Sequence, residues 1–190
     1  FLGADDKLAD KTVLEKAYLQ MSALPDSILF ASGDVIICND AEELFIMPGL
    51  DKNVQAKMRE AQSGVHSGLW QRASLFTGKP FDDSFKILGD YDFISRLWQK
   101  DADGVRLGIV VTKMAVGGMT SKISAIPRFR YEKIRVLHRY FGLKPALRQV
   151  PGLTKSLVPY GLHLIFGPAR AVSVYNARRK LRGLPAVPRK

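Results

Sequence analysis

The charged side chains of this 190-residue chain are divided unevenly about Lys122, and this division limits how the chain can fold. Residues 123–190 carry 15 basic side chains and one acidic side chain, Glu132, which gives them a net charge of +14. Residues 1–122 carry 14 basic and 17 acidic side chains, a net charge of −3. Because a strongly charged surface attracts partners of the opposite sign, we expect the two regions to have different roles. Apolar side chains recur at helical spacing from Ile126 to Phe141, among basic ones. The sequence therefore predicts a domain over 1–122 and a basic, amphipathic helical extension over 123–190.

Before Lys122, apolar runs typical of strands alternate with segments of helical period. Residues 33–38 and 106–116 are rich in Val and Ile, as buried strands are. Apolar side chains recur with helical spacing over 10–21, 51–62 and 90–100. Alternation of these two patterns predicts an α/β fold, in which helices cover a sheet.

Several classes of site are excluded by what the sequence lacks. The chain has one cysteine, Cys38, so it forms no internal disulfide and no multi-cysteine metal site. A single cysteine also fits a reducing compartment. The sequence contains no glycine-rich phosphate loop and no nucleophile-elbow pattern, and what remains as candidate chemistry is carboxylates.

The first pair of carboxylates follows an apolar stretch at the start of the sequence, FLGADD. We interpret this stretch as a buried-type strand that ends in Asp5 and Asp6. Adjacent carboxylates at a strand end can hold a hard divalent cation, and Mg²⁺ in particular is bound by one or two carboxylates together with substrate phosphates. Loop acids or caps of the following helix explain the same pair, and spacing alone favours that explanation.

The second group of carboxylates lies at the start of the helix expected over 90–100. Asp90 and Asp92 stand where the helix dipole favours negative charge, which by itself accounts for them. The following residues are apolar, so Asp90 also fits the edge of a pocket, where a carboxylate can act as a general base. On the residues alone, helix capping is at least as well supported as catalysis.

Four segments taken together resemble the family 2 glycosyltransferases. They are FLGADD at 1–6, GVHSGLWQRASLF at 64–76, FDDSFKILGDYDFISRL at 81–97 and GGMTSK at 117–122. Members of this family are inverting enzymes that use sugar nucleotides, have the GT-A fold, and in bacteria assemble polysaccharides and glycolipids. The resemblance covers about 1–122 and implies a partial GT-A domain, a Rossmann-like mixed sheet flanked by helices.

The resemblance also implies roles for individual residues on the donor side. Asp6 matches the ligand of the family's divalent metal, Mg²⁺ or Mn²⁺, and Asp5 matches its neighbour on the ribose or diphosphate side of the donor. Asp90 matches the base that takes the proton from the acceptor hydroxyl. Gly117 and Gly118 match a loop that closes over the donor phosphates, although a simple turn is the safer interpretation of this pair.

Four further side chains match the acceptor side of the family's site: His66, Trp70, Asp92 and Arg96. Packing is an equally good explanation of His66 and Trp70. An arginine in the position of Arg96 pairs with an acid or, more often, has a structural role.

The family's nucleotide-binding first half, a βαβ region, does not occur in this sequence. We therefore interpret the chain as the C-terminal portion of a longer glycosyltransferase and expect the 190 residues alone to be inactive. A degenerate, inactive remnant is a further alternative.

The basic region predicts a peripheral attachment to the cytoplasmic face of a membrane. Its apolar stretch 157–166 is shorter than the ~20 residues that a membrane-spanning helix needs. Anionic headgroups attract nearby Lys and Arg side chains by about 1 kcal/mol each, and such docking suits an enzyme with a lipid-linked acceptor. The alternative is a non-enzymatic protein whose basic extension binds nucleic acid. Few aromatic side chains are arranged for base stacking, so the sequence favours the membrane.

Overall fold

The computed structural model describes residues 2–3, 6–39, 42–50, 66–78, 80–98, 103–115 and 122–181. Contacts between Cα atoms divide the chain into two compact units. The first unit comprises 1–83 and 90–116, and the second comprises 84–89 and 117–190. The division of roles predicted at Lys122 stays a prediction.

Five strands of the described residues form one sheet in the first unit. They are β1 (Lys7–Leu8), β2 (Ile28–Cys38), β3 (Glu43–Met47), β4 (Leu69–Gln71) and β5 (Asp103–Ala115). The strand order is β1-β5-β2-β3, and β4 also pairs with β2. The β2–β5 pair is parallel and the other pairs are antiparallel, so the prediction of an α/β fold with a mixed sheet is confirmed.

Strand β2 is the centre of this sheet because both of its edges are paired. One edge runs alongside β5 over most of its length, and the other edge pairs with β4 through 30–32 and with β3 through 35–38. At Gly33 a Cβ atom would lie 2.3 Å from a methyl carbon of Val111, so this close approach requires glycine. The adjacent Asp34 carboxylate accepts hydrogen bonds from Arg106 and from the Gly49 N–H, at 2.8 and 2.7 Å.

Helix α1 (Val13–Ser22) packs on the sheet through a narrow apolar stripe. Val13 and Ala17 are fully buried against Ala31 and Val111. Before the helix, the Asp10 carboxylate accepts hydrogen bonds from the N–H and the hydroxyl of Thr12 at 2.6 and 2.7 Å. These hydrogen bonds hold the pKa of the Asp10 carboxyl below its usual value.

The start of the chain differs from the strand expected over 1–6. Of its described residues, Leu2, Gly3 and Asp6 lie in no strand, and β1 begins only at Lys7. The Asp6 N–H donates to the Gly3 carbonyl at 3.1 Å, and the Gly3 N–H donates to the Asp6 carboxylate at 3.1 Å. Such local hydrogen bonds of an aspartate replace the bonds of a strand ladder, which explains the turn. In addition, β1 lies at one end of the strand order.

Helix α2 (Gly89–Trp98) follows the segment 84–89, and the remaining helices belong to the second unit. These are α3 (Ile126–Phe141), α4 (Leu143–Leu147) and α5 (Val150–Lys180). Gly167, with φ of 79°, divides α5 into two helical segments, and Pro168 follows it directly. No helix among the described residues has both the length and the hydropathy that crossing a membrane requires. The helix expected over 51–62 lies outside the described residues.

Glu132, the one acid of the basic region, binds the backbone of residues 86–88 within the second unit. Its side chain is 1% exposed on α3. One carboxylate oxygen accepts from the N–H of Lys86, and the other accepts from the N–H groups of Ile87 and Leu88, each at 2.9 Å. Arg128 lies 3.2 Å from the same carboxylate. The carboxylate therefore holds the backbone that leads directly into α2.

We expect Glu132→Ala to lower the free energy of unfolding by about 3 kcal/mol, because it leaves three backbone N–H groups without their charged acceptor. Urea unfolding followed by circular dichroism measures this loss. The matched control is Glu42→Ala, which removes an exposed glutamate and should change stability by less than about 0.5 kcal/mol. Equal losses for the two variants would contradict the role of Glu132.

Candidate active site

A cavity of about 160 Å³ in the first unit contains two of the residues that the sequence singles out. His66, three residues before β4, and Asp90, in the first turn of α2, lie in its wall. The full lining is His66, Leu69, Gln71, Phe81, Asp90, Phe93 and Ile94. Mainly apolar walls with a few polar groups are typical of small-ligand sites, so this cavity is the candidate active site.

His66 and Asp90 contact each other across the cavity. The His66 Nδ1 atom lies 3.5 Å from one carboxylate oxygen of Asp90, and the side chains are 39% and 27% exposed. The second Asp90 oxygen accepts a hydrogen bond from the Tyr91 N–H at 2.8 Å. A partly exposed carboxylate that is held at a helix start and touches an imidazole has the groups needed to accept a proton from a hydroxyl.

Strand β4 places its side chains on two faces, and only one face meets the cavity. Leu69 and Gln71 alternate along the strand and both line the cavity. Between them, Trp70 packs against the hydrophobic cluster that contains Val13 and Val111. The pairing of β4 with β2 fixes this arrangement, with Ser32 opposite Leu69 and Phe30 opposite Gln71. The structure thus places Trp70 in the core and not with His66.

Helix α2 supplies the opposite wall from one of its faces. Phe93 and Ile94 follow Asp90 by three and four positions, so all three side chains lie on the same side of the helix. The Phe93 ring stacks on Phe76 with a centroid distance of 5.0 Å and lies 5.1 Å from Phe81. These aromatic contacts fix the apolar part of the wall.

Asp92 and Arg96, predicted on the acceptor side, have surroundings that differ from those of Asp90. Asp92 is 2% exposed and does not line the cavity. Arg96 donates a hydrogen bond to the Pro80 carbonyl at 2.6 Å, and its guanidinium lies 5.4 Å from the Phe93 ring centroid. Arg96 thus joins the segment before α2 to the helix. Burial raises the pKa of the Tyr91 phenol above its usual range, so this hydroxyl stays protonated at neutral pH.

The predicted donor side can be judged only at Asp6. Asp5, Gly117 and Gly118 lie outside the described residues. Asp6 is partly buried and offers carboxylate oxygens, the ligand type that a hard cation prefers. Within the described ranges, no group of three or more His, Cys, Asp or Glu side chains is arranged to hold a metal ion.

Comparison with known proteins leaves the resemblance untested. No family model matches the chain, and no curated protein matches it at a significant level. The similarity to family 2 glycosyltransferases stays a prediction from the motifs.

Sequence reasoning missed the residues that shape the cavity beside His66 and Asp90. Gln71 is the main omission, since its amide offers both a donor and acceptors to a ligand. Its two-residue spacing from Leu69 signals a shared face of β4, but only the long-range pairing with β2 shows which face meets α2.

We expect Asp92→Ala to destabilise the protein more than Asp90→Ala. Removal of the Asp92 carboxylate, which is 2% exposed, should lower the free energy of unfolding by about 2–3 kcal/mol, because truncation of a buried polar side chain removes its interactions and leaves a cavity. Removal of the partly exposed Asp90 should lower it by about 1 kcal/mol, the value of a charge at a helix start. Urea denaturation of both variants, with the fully exposed Asp26→Ala as control, measures the order. The reverse order would show that Asp90 is the structural carboxylate.

Proposed function

We propose that this chain supplies the acceptor side of an inverting glycosyltransferase that moves a sugar from a nucleotide-sugar donor to an acceptor hydroxyl. The contact of His66 with Asp90 at the mouth of a mainly apolar cavity is the observation that supports this proposal most directly. The four sequence motifs, with a partial GT-A fold as their implication, add independent support.

In the proposed reaction, Asp90 is the general base. Its carboxylate takes the proton of the acceptor hydroxyl as the acceptor oxygen forms a bond to the anomeric carbon of the donor. The bond between that carbon and the donor phosphate breaks on the opposite face, which inverts the configuration. The electron pair of this bond leaves with the nucleoside diphosphate. The sugar passes through an oxocarbenium-like transition state, in which its ring carries positive charge.

His66 positions the base in this proposal. An imidazole 3.5 Å from the Asp90 carboxylate restricts the rotation of that side chain and keeps one oxygen directed toward the cavity. Leu69, Phe93 and Ile94 provide an apolar surface for the face of a sugar ring, and Gln71 provides hydrogen bonds for its hydroxyl groups. The acceptor class that this combination suits is a glycan, either lipid-linked or part of a polysaccharide.

Asp5 and Asp6 serve the donor in this proposal. Both residues belong to the same unit as Asp90. A divalent cation held with their help would neutralise the charge of the departing diphosphate. Gly117 and Gly118, which the resemblance assigns to a loop over the donor phosphates, lie outside the described residues.

We expect Asp90→Asn to lower the rate of sugar transfer by about 10²–10⁴-fold, the usual contribution of a general base, while donor affinity is largely retained. The assay uses the protein together with the nucleotide-binding region that the resemblance places ahead of Phe1. Release of nucleoside diphosphate from UDP- and GDP-sugars with a glycan acceptor reports the rate, and calorimetry reports donor binding.

The matched control is Asp26→Asn, which changes a fully exposed aspartate of the same unit. It should leave both transfer and donor affinity unchanged. If Asp90→Asn retained most of the activity of the unsubstituted protein, the base would lie elsewhere and the proposal would fail.

For Asp6→Ala we expect the loss of the metal-dependent part of donor affinity, because the cation loses a carboxylate ligand. Calorimetric titration with UDP or GDP, in the presence and absence of Mn²⁺, measures that part. Asp26→Ala serves as control. An unchanged response to Mn²⁺ would remove Asp6 from the donor site.

A further inference from the structure

Helix α5 exposes an apolar face over its first segment, residues 150–166. In this segment Lys155 is the only Lys, Arg, Asp or Glu. Leu157, Val158, Leu164 and Ile165 are 51–73% exposed. Their spacing of one, seven and eight residues places them on one side of the helix.

The opposite side of the same segment packs within the second unit. Ser156 is 6% exposed, and Pro159 is also buried. The exposed apolar face is therefore distinct from the face that the fold uses. A contiguous exposed apolar face of this kind marks a docking surface.

An apolar groove lies at the break in α5, where the first segment ends. The chain turns at Gly167, and the groove beside it has a volume of about 480 Å³. Its lining is Leu162, Phe166, Ala169, Arg170, Ser173 and Val174. Arg170, an exposed residue, is the one charged group of the lining.

Exposed lysine and arginine side chains occur before, within and after the apolar face in the sequence. Lys144 and Arg148 precede it, Lys155 lies within it, and Arg170 and Lys180 follow it. A second copy of this surface would bring like charges together, since residues 123–190 carry a net charge of +14. The charges instead match a surface of anionic phosphates above an apolar layer.

We propose that the first segment of α5 lies in the interface of an anionic phospholipid bilayer, parallel to the membrane plane. Leu157, Val158, Leu164 and Ile165 insert among the acyl chains, and the surrounding cations contact lipid phosphates. The groove at Gly167 accepts part of an acyl chain, with Arg170 beside the phosphate of that lipid. Because this docking uses residues of the second unit, it does not depend on the proposed sugar transfer.

Co-sedimentation of the 190-residue chain with lipid vesicles tests this docking. We expect binding to vesicles of phosphatidylglycerol mixed with phosphatidylcholine, and much weaker binding to pure phosphatidylcholine. Added salt should reduce the binding to anionic vesicles, because the charges involved are exposed. The proposal would be overturned if the chain bound neither type of vesicle, or if it bound both types equally.

Two sets of variants separate the apolar and the charged contributions. Leu164→Ser with Ile165→Ser should reduce partitioning at least about tenfold, because two apolar side chains no longer enter the acyl layer. The matched control is Leu19→Ser with Ile46→Ser, which changes two similarly exposed side chains of the first unit.

The second set neutralises cations. Lys144→Gln, Arg148→Gln and Lys155→Gln together should reduce anionic partitioning by roughly 100-fold, about fivefold for each cation. Its control neutralises three exposed lysines of the first unit, Lys7, Lys11 and Lys16.

The vesicle binding of the α5 variants, compared with that of the control variants, tests whether the first segment of α5 is the docking surface. Circular dichroism first confirms that each variant has the unfolding midpoint of the unsubstituted chain. If the control variants lost as much binding as the α5 variants, the binding would reflect charge or hydropathy in general, and this surface would be wrong. A single-stranded RNA serves as competitor. If it displaced the unsubstituted chain from vesicles, and if the Leu164→Ser, Ile165→Ser variant bound this RNA more tightly than it bound vesicles, the basic region would be a nucleic-acid-binding region and the proposal would be wrong. A loss of vesicle binding with sugar transfer to a water-soluble acceptor intact would leave the proposed function standing.

Discussion

The arrangement of the first unit depends on the pairing of strand β2 along both of its edges. Its parallel pairing with β5 gives the sheet its main axis, and its antiparallel pairing with β4 brings His66 and Gln71 to one end of that sheet. The contact between Gly33 and Val111 keeps β2 and β5 close together. Without this pairing, Gln71 on β4 and His66, which precedes the strand, would have no fixed position in the cavity wall with Asp90.

A second constraint comes from a buried carboxylate of the basic region. The backbone N–H groups of residues 86–88 donate to this carboxylate, which takes the place of the carbonyl acceptors in a strand or helix. Glu132 is unusual because it combines near-complete burial with three backbone donors and an arginine. A carboxylate in such surroundings is stabilised by all four neighbours at once. The residues immediately before α2 are thereby ordered by a side chain more than 40 positions later in the sequence.

Local sequence patterns predicted the α/β class, the strands at 33–38 and 106–116, and the helix at 90–100, because periodicity and propensity report local structure directly. The pattern at the helix start also named Asp90, and the family resemblance named His66; the structure brings the two together in one cavity. Side chains whose position depends on distant pairing were not predictable in this way. Trp70 packs in the core because β4 turns that face toward α1, and the turn at Gly3 forms because Asp6 bonds to its own backbone.

The central claim is that Asp6 holds the donor and Asp90 activates the acceptor in one site. A crystal structure of the chain joined to the nucleotide-binding region that the family resemblance implies, with Mn²⁺ and a nucleoside diphosphate, tests it most directly. We predict an anomalous manganese peak at the Asp6 carboxylate, and a diphosphate that ends at the cavity lined by His66 and Asp90. A manganese peak away from Asp6, or a diphosphate remote from Asp90, would contradict the claim.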